Sequence, residues 1–219
     1  MKKMIDKQTA EFGAKILQAL PEMSSDEMQE WIKNPKALKK VLKLALCPPE
    51  EKVEKEKSNL LEFLRTITIP ATTSKFLAKE KFVINTKSSA LVKIGFLGDN
   101  LKEWFLKGAG KVEDPISDQT LHFTNLKKYS YDRDIIAELG GEAKAETTLS
   151  EMFSLMEKQG KGEDGVLLAN GYSNIFFIRD FAGVLRVVYV CWGRGVWNVH
   201  AYAPDDDGWS DGHRVFSRN

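Results

Sequence analysis

The sequence predicts an α+β protein, and its C-terminal stretch gives the strongest evidence. Residues 172–219 are rich in aromatic and β-branched side chains and are interrupted at short intervals by Gly, Asn and Asp, a composition typical of consecutive hairpins. Residues 1–65 instead show the spacing of amphipathic helices. We therefore expect a helical N-terminal region over residues 1–65, a connector over 66–80 and an α+β domain over 81–219.

The helical region carries recognisable helix starts. Ser24 with Glu27 is a capping-box pattern, and Asn34-Pro35 suits the start of the next helix because proline is favoured at the first helical position. This second helix carries four lysines, which are candidate nucleic-acid contacts: Lys36, Lys39, Lys40 and Lys43. Asn34-Pro35 matches the turn of a DNA-binding helix-turn-helix poorly, and no arginine precedes Arg65 to read bases. Lysines that simply face solvent are the alternative.

The C-terminal region predicts a five-strand antiparallel meander. Asn170-Gly171 separates two apolar runs, and this dipeptide favours the type I′ turn of a hairpin. Thr148 and Glu151 form a capping box for a helix whose apolar side chains recur at helical spacing, and we expect this helix to cover the sheet. The expected strands are 166–169, 172–178, 184–192, 196–202 and 213–217.

Alternation along residues 197–202 separates two faces of one predicted strand. Trp197, Val199 and Ala201 suit the core beneath the helix, whereas Asn198, His200 and Tyr202 share the opposite, more polar face. Arg214 joins this cluster if the last strand pairs beside 196–202. We therefore expect a candidate binding face that consists of Asn198, His200, Tyr202 and Arg214.

This cluster is compatible with more than one function. Stacking and guanidinium contacts suit RNA, while His200 as a general base, near Asp205–Asp207, suits a hydrolase or nuclease. The hydrolase hypothesis requires one pocket that holds both His200 and the acidic loop. The simpler account of His200 is a surface or half-buried histidine with a local hydrogen bond. Trp209, beside the loop, either folds back as a plug or remains exposed for a partner.

The sequence gives no positive evidence for catalysis, a cofactor or a metal. Asp205–Asp207 are consecutive, whereas a calcium-binding loop of the EF-hand type needs oxygen ligands at alternate positions, so a polar turn is the better interpretation. The chain contains no GxSxG, HExxH, Walker A lysine loop or CxxC motif. We therefore expect a non-catalytic binding protein with no cofactor and no metal.

Charge is uneven along a chain whose net charge is only +1. Residues 71–111 contain eight lysines against three acidic residues, and residues 112–165 contain twelve acidic against six basic residues. The lysines of 75–111 are a second candidate nucleic-acid surface. The alternative to a nucleic-acid surface is that both blocks are solvent-exposed faces whose charges are neutralised by nearby residues of opposite charge.

The expected setting is the cytoplasm. The chain has two cysteines, far apart in sequence, and no apolar segment long enough for a signal peptide or a membrane span, which favours a reducing compartment. We expect a protein partner, with nucleic acid as the alternative, and no membrane association.

Six segments of the chain carry a family resemblance: WIKNPKALKKVLKLAL at 31–46, VKIGFLGDNLKEWF at 92–105, IIAELGGEAKAETTLSEMFSLMEKQGKGEDGVLLANG at 135–171, NIFFIRD at 174–180, WNVHAYAPDD at 197–206 and RVFSRN at 214–219. In this order they resemble a family of uncharacterised proteins abundant in candidate-phylum bacteria of the Parcubacteria type. The resemblance covers most of the chain and implies a bacterial cytoplasmic setting and a shared fold, but no established activity and no catalytic residues.

Overall fold

The computed structural model describes Lys15, residues 24–39 and residues 60–218, and its contacts divide the chain into two compact units, residues 1–56 and 57–219. In the first unit, helix α1 spans Ser25–Lys33, and residues 35–39 are also helical. Asn34 caps the second segment, because its Oδ1 accepts the N–H of Ala37 at 3.2 Å. Both helix starts lie where the sequence predicts them, whereas Lys40, Lys43 and the remainder of the expected helical region up to residue 59 lie outside the described residues.

The second unit contains ten strands and several short helices within its described residues. The helices are α2 (Ala78–Lys81), α3 (Asp99–Leu101, continued by a π-helical turn over Lys102–Leu106), α4 (Asp132–Glu138), α5 (Glu142–Ala145) and α6 (Leu149–Lys158). The strands are β1 (Leu61–Ile69), β2 (Phe76–Leu77), β3 (Ile94–Leu97), β4 (Val112–Glu113), β5 (Gln119–Leu126), β6 (Glu146–Thr147), β7 (Ser173–Arg179), β8 (Leu185–Gly193), β9 (Val196–Tyr202) and β10 (Arg214–Arg218).

Eight of these strands form one mixed sheet in the order β1-β5-β10-β7-β8-β9-β3, with β6 also paired to β7. Three pairings are parallel: β10 with β7, β6 with β7 and β3 with β9. The pairings β1–β5, β5–β10, β7–β8 and β8–β9 are antiparallel. Helices combined with this sheet make an α+β architecture, as the sequence predicts.

The expected five-strand antiparallel meander is wrong, because only β7, β8 and β9 follow one another as antiparallel neighbours. The last strand, β10, does not pair with β9. It lies between β5 and β7, antiparallel to the first and parallel to the second. The sequence pattern of β10 predicts a strand but contains no information about this distant partner.

Residues 166–169, expected to be the first strand of the meander, are not a strand. Two side chains take the backbone hydrogen bonds that a neighbouring strand would otherwise make. The Gln159 amide accepts the N–H of Leu167 at 2.7 Å and donates to its carbonyl at 3.0 Å. Asn174 does the same for Leu168, at 2.7 Å and 3.0 Å. Because buried backbone groups need partners, this arrangement replaces strand pairing.

Residues 61–69, expected to be the end of a helix and the start of a connector, form strand β1. The segment Thr66-Ile67-Thr68-Ile69 alternates β-branched residues, which fit a pleated sheet, and it pairs with β5 over its whole length. Pro70 follows directly and ends the strand.

The two faces of the sheet are covered differently. On the first face, the apolar side of α6 and the β9 side chains Trp197, Val199 and Ala201 belong to one large buried core. The capping box of α6 is present, with Glu151 N–H donating to Thr148 Oγ1 and Thr148 N–H donating to Glu151 Oε2. On the second face, a smaller core contains Ile135 of α4 and Phe177. Tyr189 and Trp209 lie at the margin of this smaller core, where the sheet becomes accessible.

Candidate functional site

Strand β9 presents Asn198, His200 and Tyr202 on the second face of the sheet, opposite its buried side chains, as alternation predicts. Their cross-strand partners on β8 follow from the antiparallel register: Asn198 lies opposite Cys191, and His200 lies opposite Tyr189. Asn198 is half-buried and hydrogen-bonds to the Cys191 thiol, whose pKa burial raises. Asn198 therefore has a partner within the sheet.

His200 lies between two aromatic rings. Its imidazole stacks on the Tyr189 ring at a centroid distance of 4.8 Å and an angle of 5°, and the Phe96 ring lies 5.1 Å away. Within the described residues the imidazole makes no hydrogen bond, and burial lowers its pKa. A general base needs a partner that fixes its tautomer and orientation. Within the described residues His200 has no such partner, and its neighbours are the two aromatic rings.

Tyr189 links His200 to a second group of rings. The Tyr202 hydroxyl lies 3.4 Å from the Tyr189 hydroxyl, and the Trp209 ring stands nearly perpendicular to the Tyr189 ring, with centroids 5.1 Å apart. Burial, followed by the hydrogen bond with Tyr202, raises the pKa of Tyr189, so this side chain is a neutral phenol at physiological pH. Phe96, His200, Tyr189, Tyr202 and Trp209 are called the aromatic row below.

A cavity of about 110 Å³ lies at one end of the aromatic row. Tyr189, Tyr202, Trp209, Asp132, Asp207 and Gly208 line it. His200 is not among its lining residues. The pocket that the hydrolase hypothesis requires, with His200 and the acidic loop together, is therefore not this one.

The loop after β9 is held in place by Asp132 at the start of α4. Its Oδ1 accepts the indole N–H of Trp209 at 2.8 Å, and its Oδ2 accepts the N–H of Asp205 at 2.9 Å. Burial is the largest influence on Asp132 and raises its pKa, while the two hydrogen bonds act in the opposite direction. Ser130 and Trp209 also exchange two backbone hydrogen bonds of 2.9 Å. Trp209 therefore folds back onto the sheet, one of the two positions expected from the sequence.

Arg214 does not join this site. Because β7 and β8 separate β10 from β9, the expected pairing that would have brought Arg214 beside His200 is wrong. Its guanidinium donates to the carbonyl of Val166 at 2.6 Å and lies over the Phe123 ring. Arg214 is therefore engaged elsewhere in the sheet.

Sequence reasoning missed Asp132 and Tyr189, the two residues around which the site is built. Tyr189 lies in an apolar strand and Asp132 in a short amphipathic helix, so neither stands out locally. The register between the two strands predicted at 184–192 and 196–202 could have revealed Tyr189. Tyr189 must share a face with His200 once the Gly193-Arg194-Gly195 turn is taken as the hairpin connection. No local pattern indicates the contact of Asp132 with a loop more than 70 residues away.

The lysine-rich candidates have different surroundings. Lys36 and Lys39 are exposed on the helical segment of the first unit, and Lys40 and Lys43 lie outside the described residues. Five of the eight lysines of the 75–111 block form ion pairs with nearby carboxylates, which offset part of its positive charge. The pairs are Lys75 with Asp114, Lys81 with Glu157, Lys102 with Asp99, Lys107 with Glu103, and Lys111 with Glu113.

Among residues 24–39 and 60–218, no group of three or more His, Cys, Asp or Glu side chains is arranged to hold a metal ion. Asp205 accepts the N–H of Arg133 at 3.1 Å and Asp206 accepts that of Ala203 at 3.2 Å. These carboxylates therefore stabilise the loop, which is the polar-turn interpretation of the sequence.

Comparison of the chain with protein-family models, with curated proteins and with solved structures found no match. The resemblance to an uncharacterised bacterial family therefore stays a prediction. In the part of the chain that the structure describes, no helix combines the length and apolar character needed to cross a membrane.

Proposed function

We propose that this protein is a non-catalytic binding protein whose ligand-binding surface is the aromatic row. The observation that carries the proposal is the contact between successive rings of this row. Phe96, His200 and Tyr189 stack, and Tyr202 and Trp209 contact Tyr189, so that the five rings extend across β3, β9, β8 and the loop after β9. Phe96 is 45% exposed and Tyr202 is 36% exposed. Exposed aromatic side chains offer a large contact area and lose little conformational entropy on binding, which makes them typical of interaction surfaces.

The surroundings of His200 favour binding over hydrolysis. A catalytic histidine needs a group that orients it and a reacting atom within reach. His200 instead presents its ring to two aromatic neighbours, and its lowered pKa follows from burial alone. The aromatic row lies on the second face of the sheet, outside the large core beneath α6, and is therefore accessible to a partner.

The charge around the aromatic row favours a partner other than nucleic acid. Asp132 and Asp207 line the adjoining cavity, and Asp205 and Asp206 lie close enough to raise the pKa of Asp132. Phosphate groups would be repelled here, since nucleic-acid binding depends on basic side chains. We propose a protein partner in a bacterial cytoplasmic setting, which rests on the exposed rings and on the family resemblance.

Site-specific photo-crosslinking tests this proposal. A photoreactive phenylalanine analogue is placed at Tyr202, and in a separate control chain at Phe63, which is 56% exposed on β1. The proposal expects a discrete crosslinked partner from bacterial lysate at position 202 and none at position 63. Loss of that product in a chain that also carries Tyr189→Leu would support the row as the contact surface.

Other results of the crosslinking experiment and of an activity assay would contradict the proposal. Identical products at positions 202 and 63, or no product at position 202, would overturn the aromatic row as the working surface. A hydrolytic activity that is present in the wild-type chain and lost in His200→Phe, a variant that retains an aromatic ring, would overturn the non-catalytic assignment.

A further inference from the structure

The cavity at the end of the aromatic row is bounded by rings set at different angles. Trp209 stands at 79° to Tyr189, with centroids 5.1 Å apart, and Tyr202 is tilted by 36° at 5.5 Å. More than one ring therefore borders the same small space. A cation within about 6 Å of an aromatic centroid is attracted by the ring quadrupole, most strongly by Trp and then by Tyr.

The carboxylates of this cavity have no cationic partner in the described part of the chain. Asp132 is only 2% exposed, and both of its hydrogen bonds come from neutral donors, the indole of Trp209 and the backbone of Asp205. Asp207 also lines the cavity. A buried carboxylate gains most from a positive charge, because low dielectric strengthens their attraction.

Nearby basic side chains are directed elsewhere. The Arg133 guanidinium, on the residue next to Asp132, lies over the Tyr131 ring at 5.4 Å. The Lys102 ammonium lies over Phe96 at the opposite end of the row and pairs with Asp99. The negative charge at the cavity is therefore left for a ligand to neutralise.

The walls of the cavity are formed before any ligand binds. The paired hydrogen bonds between Ser130 and Trp209 fix the loop backbone, and Asp132 fixes the indole. At Gly208 the absence of a side chain lets the Tyr129 hydroxyl approach the loop, since a Cβ atom there would collide with it. Preformed walls reduce the entropy cost of binding.

Size and chemistry together narrow the class of ligand. A volume of about 110 Å³ is smaller than the ~300–1,000 Å³ of typical small-molecule pockets, so the cavity holds a head group and leaves the rest of the ligand outside. No metal-binding cluster exists among the described residues, and the carboxylates repel anions. A small organic cation with an apolar surface matches both the rings and the carboxylates of the lining.

We propose that the cavity lined by Tyr189, Tyr202, Trp209, Asp132 and Asp207 binds an alkylated ammonium group, such as a methylated lysine side chain. The methyl groups contact the rings, and the charge faces the two carboxylates. The inference rests on the proposed function, because it names the chemistry that the same face recognises in its partner.

Calorimetric titration of the full chain with choline tests the charge requirement. The matched probe is 3,3-dimethylbutan-1-ol, which has the shape of choline with a neutral carbon in place of nitrogen. Choline is expected to bind at least about tenfold more tightly than this isostere, because only the cation is attracted by rings and carboxylates. Equal affinity for the two, or no binding of choline, would overturn the inference.

Variants locate the binding. Trp209→Ala is expected to abolish choline binding, and Asp207→Asn, on an exposed part of the loop, to weaken it several-fold. Phe181→Ala is the control, because this ring is exposed in the β7–β8 turn and is not among the residues that line the cavity. If Trp209→Ala fails to fold, Asp207→Asn and Tyr202→Leu provide the test. Wild-type affinity in every folded cavity variant would contradict the site.

A pair of peptides identifies the source of the cation. One carries trimethyllysine and the other carries unmodified lysine in the same sequence. Tighter binding of the trimethylated peptide than of both the unmodified peptide and free choline assigns the group to a protein partner. Tighter binding of free choline than of either peptide assigns it to a free metabolite, and both outcomes support the ammonium site. Crosslinking at Tyr202 without any binding of ammonium probes overturns this inference and leaves the proposed function standing.

Discussion

At the scale of single residues, His200 shows how little a residue type reveals without its neighbours. From sequence, a histidine between Asn198 and Tyr202 suggested a base, a stacking group, or a surface or half-buried side chain with a local hydrogen bond. The structure surrounds its ring with Tyr189 and Phe96 and gives it no hydrogen-bond partner among the described residues. Its alternating face was predictable from β9 alone. Tyr189 comes from the strand expected beside β9, where only the register was left unread, whereas Phe96 comes from β3, which sequence reasoning did not place beside β9.

The buried imidazole of His200 predicts a pH dependence of stability. Burial lowers the pKa of His200 in the folded protein. At pH values between this lowered pKa and the unfolded value of about 6.5, the imidazole is protonated in the unfolded chain but neutral in the folded chain. The free energy of unfolding must therefore rise with pH through this window and fall on acidification. Urea denaturation at pH 5 and pH 7.5 measures the difference.

The variant His200→Phe isolates this contribution. It keeps an aromatic ring on Tyr189 but cannot titrate, so its stability relative to wild type should improve as the pH falls. The pKa of His213 is also lowered mainly by burial, which leaves a residual dependence of the same sign in the variant. A constant difference between variant and wild type at both pH values would contradict the burial of His200.

At the scale of elements, sequence patterns predicted the features that depend on residues close together in the chain. The capping box of α6 and the alternation of β9 could be predicted because their partners lie within four residues along the chain or on the same strand. Residues 166–169 were mistaken for a strand because their apolar pattern is that of a strand. Their backbone partners, the side chains of Gln159 and Asn174, cannot be recognised from that pattern.

Gln159 is therefore expected to be essential for the segment after α6. Replacing it with leucine leaves the N–H and carbonyl of Leu167 without partners, and a buried polar group without a partner costs about 1–3 kcal/mol. We expect Gln159→Leu to lower the free energy of unfolding by about that amount. Amide exchange at Leu167 should accelerate by more than the global loss of stability explains.

The matched control for this substitution is Gln119→Leu. Within the described residues the half-buried Gln119 side chain hydrogen-bonds to Ser117, two residues away, and to no distant segment. Its replacement should change stability by less than about 0.5 kcal/mol. Equal effects of the two substitutions in urea denaturation would show that the Gln159 hydrogen bonds do not support the segment.

At the scale of the whole molecule, the class was predictable and the topology was not. Composition and periodicity indicate an α+β protein, but the order β1-β5-β10-β7-β8-β9-β3 depends on contacts between residues far apart in sequence. The same limitation applies to the candidate site. Its β9 members were named from alternation, while Tyr189 required the register of the β8–β9 hairpin and Asp132 required the assembled fold.

The central position of β10 predicts a sharp contrast between two strands that both pair with β5. Val215 is fully buried in β10, whereas Phe63 is exposed on the outer strand β1. Val215→Asp should abolish cooperative unfolding, because an unpaired buried charge costs more than the total stability margin of a small domain can absorb. Phe63→Asp should cost less than about 1 kcal/mol.

Thermal unfolding followed by circular dichroism, with two-dimensional NMR spectra to confirm the fold, distinguishes these variants. A cooperative transition in Val215→Asp close to that of wild type would show that β10 is dispensable to the sheet. A severe loss in Phe63→Asp would show that β1 is covered rather than exposed.

The place of β10 also determines when the sheet is completed during protein synthesis. Until residues 214–218 have left the ribosome, β5 and β7 each lack a partner along the edge that β10 will occupy, and unpaired strand edges promote association with other chains. Closure then joins segments up to 97 residues apart, as between Arg218 and Leu121, and such distant pairing slows folding. A nascent chain of this protein is therefore expected to depend on chaperones until the last strand inserts.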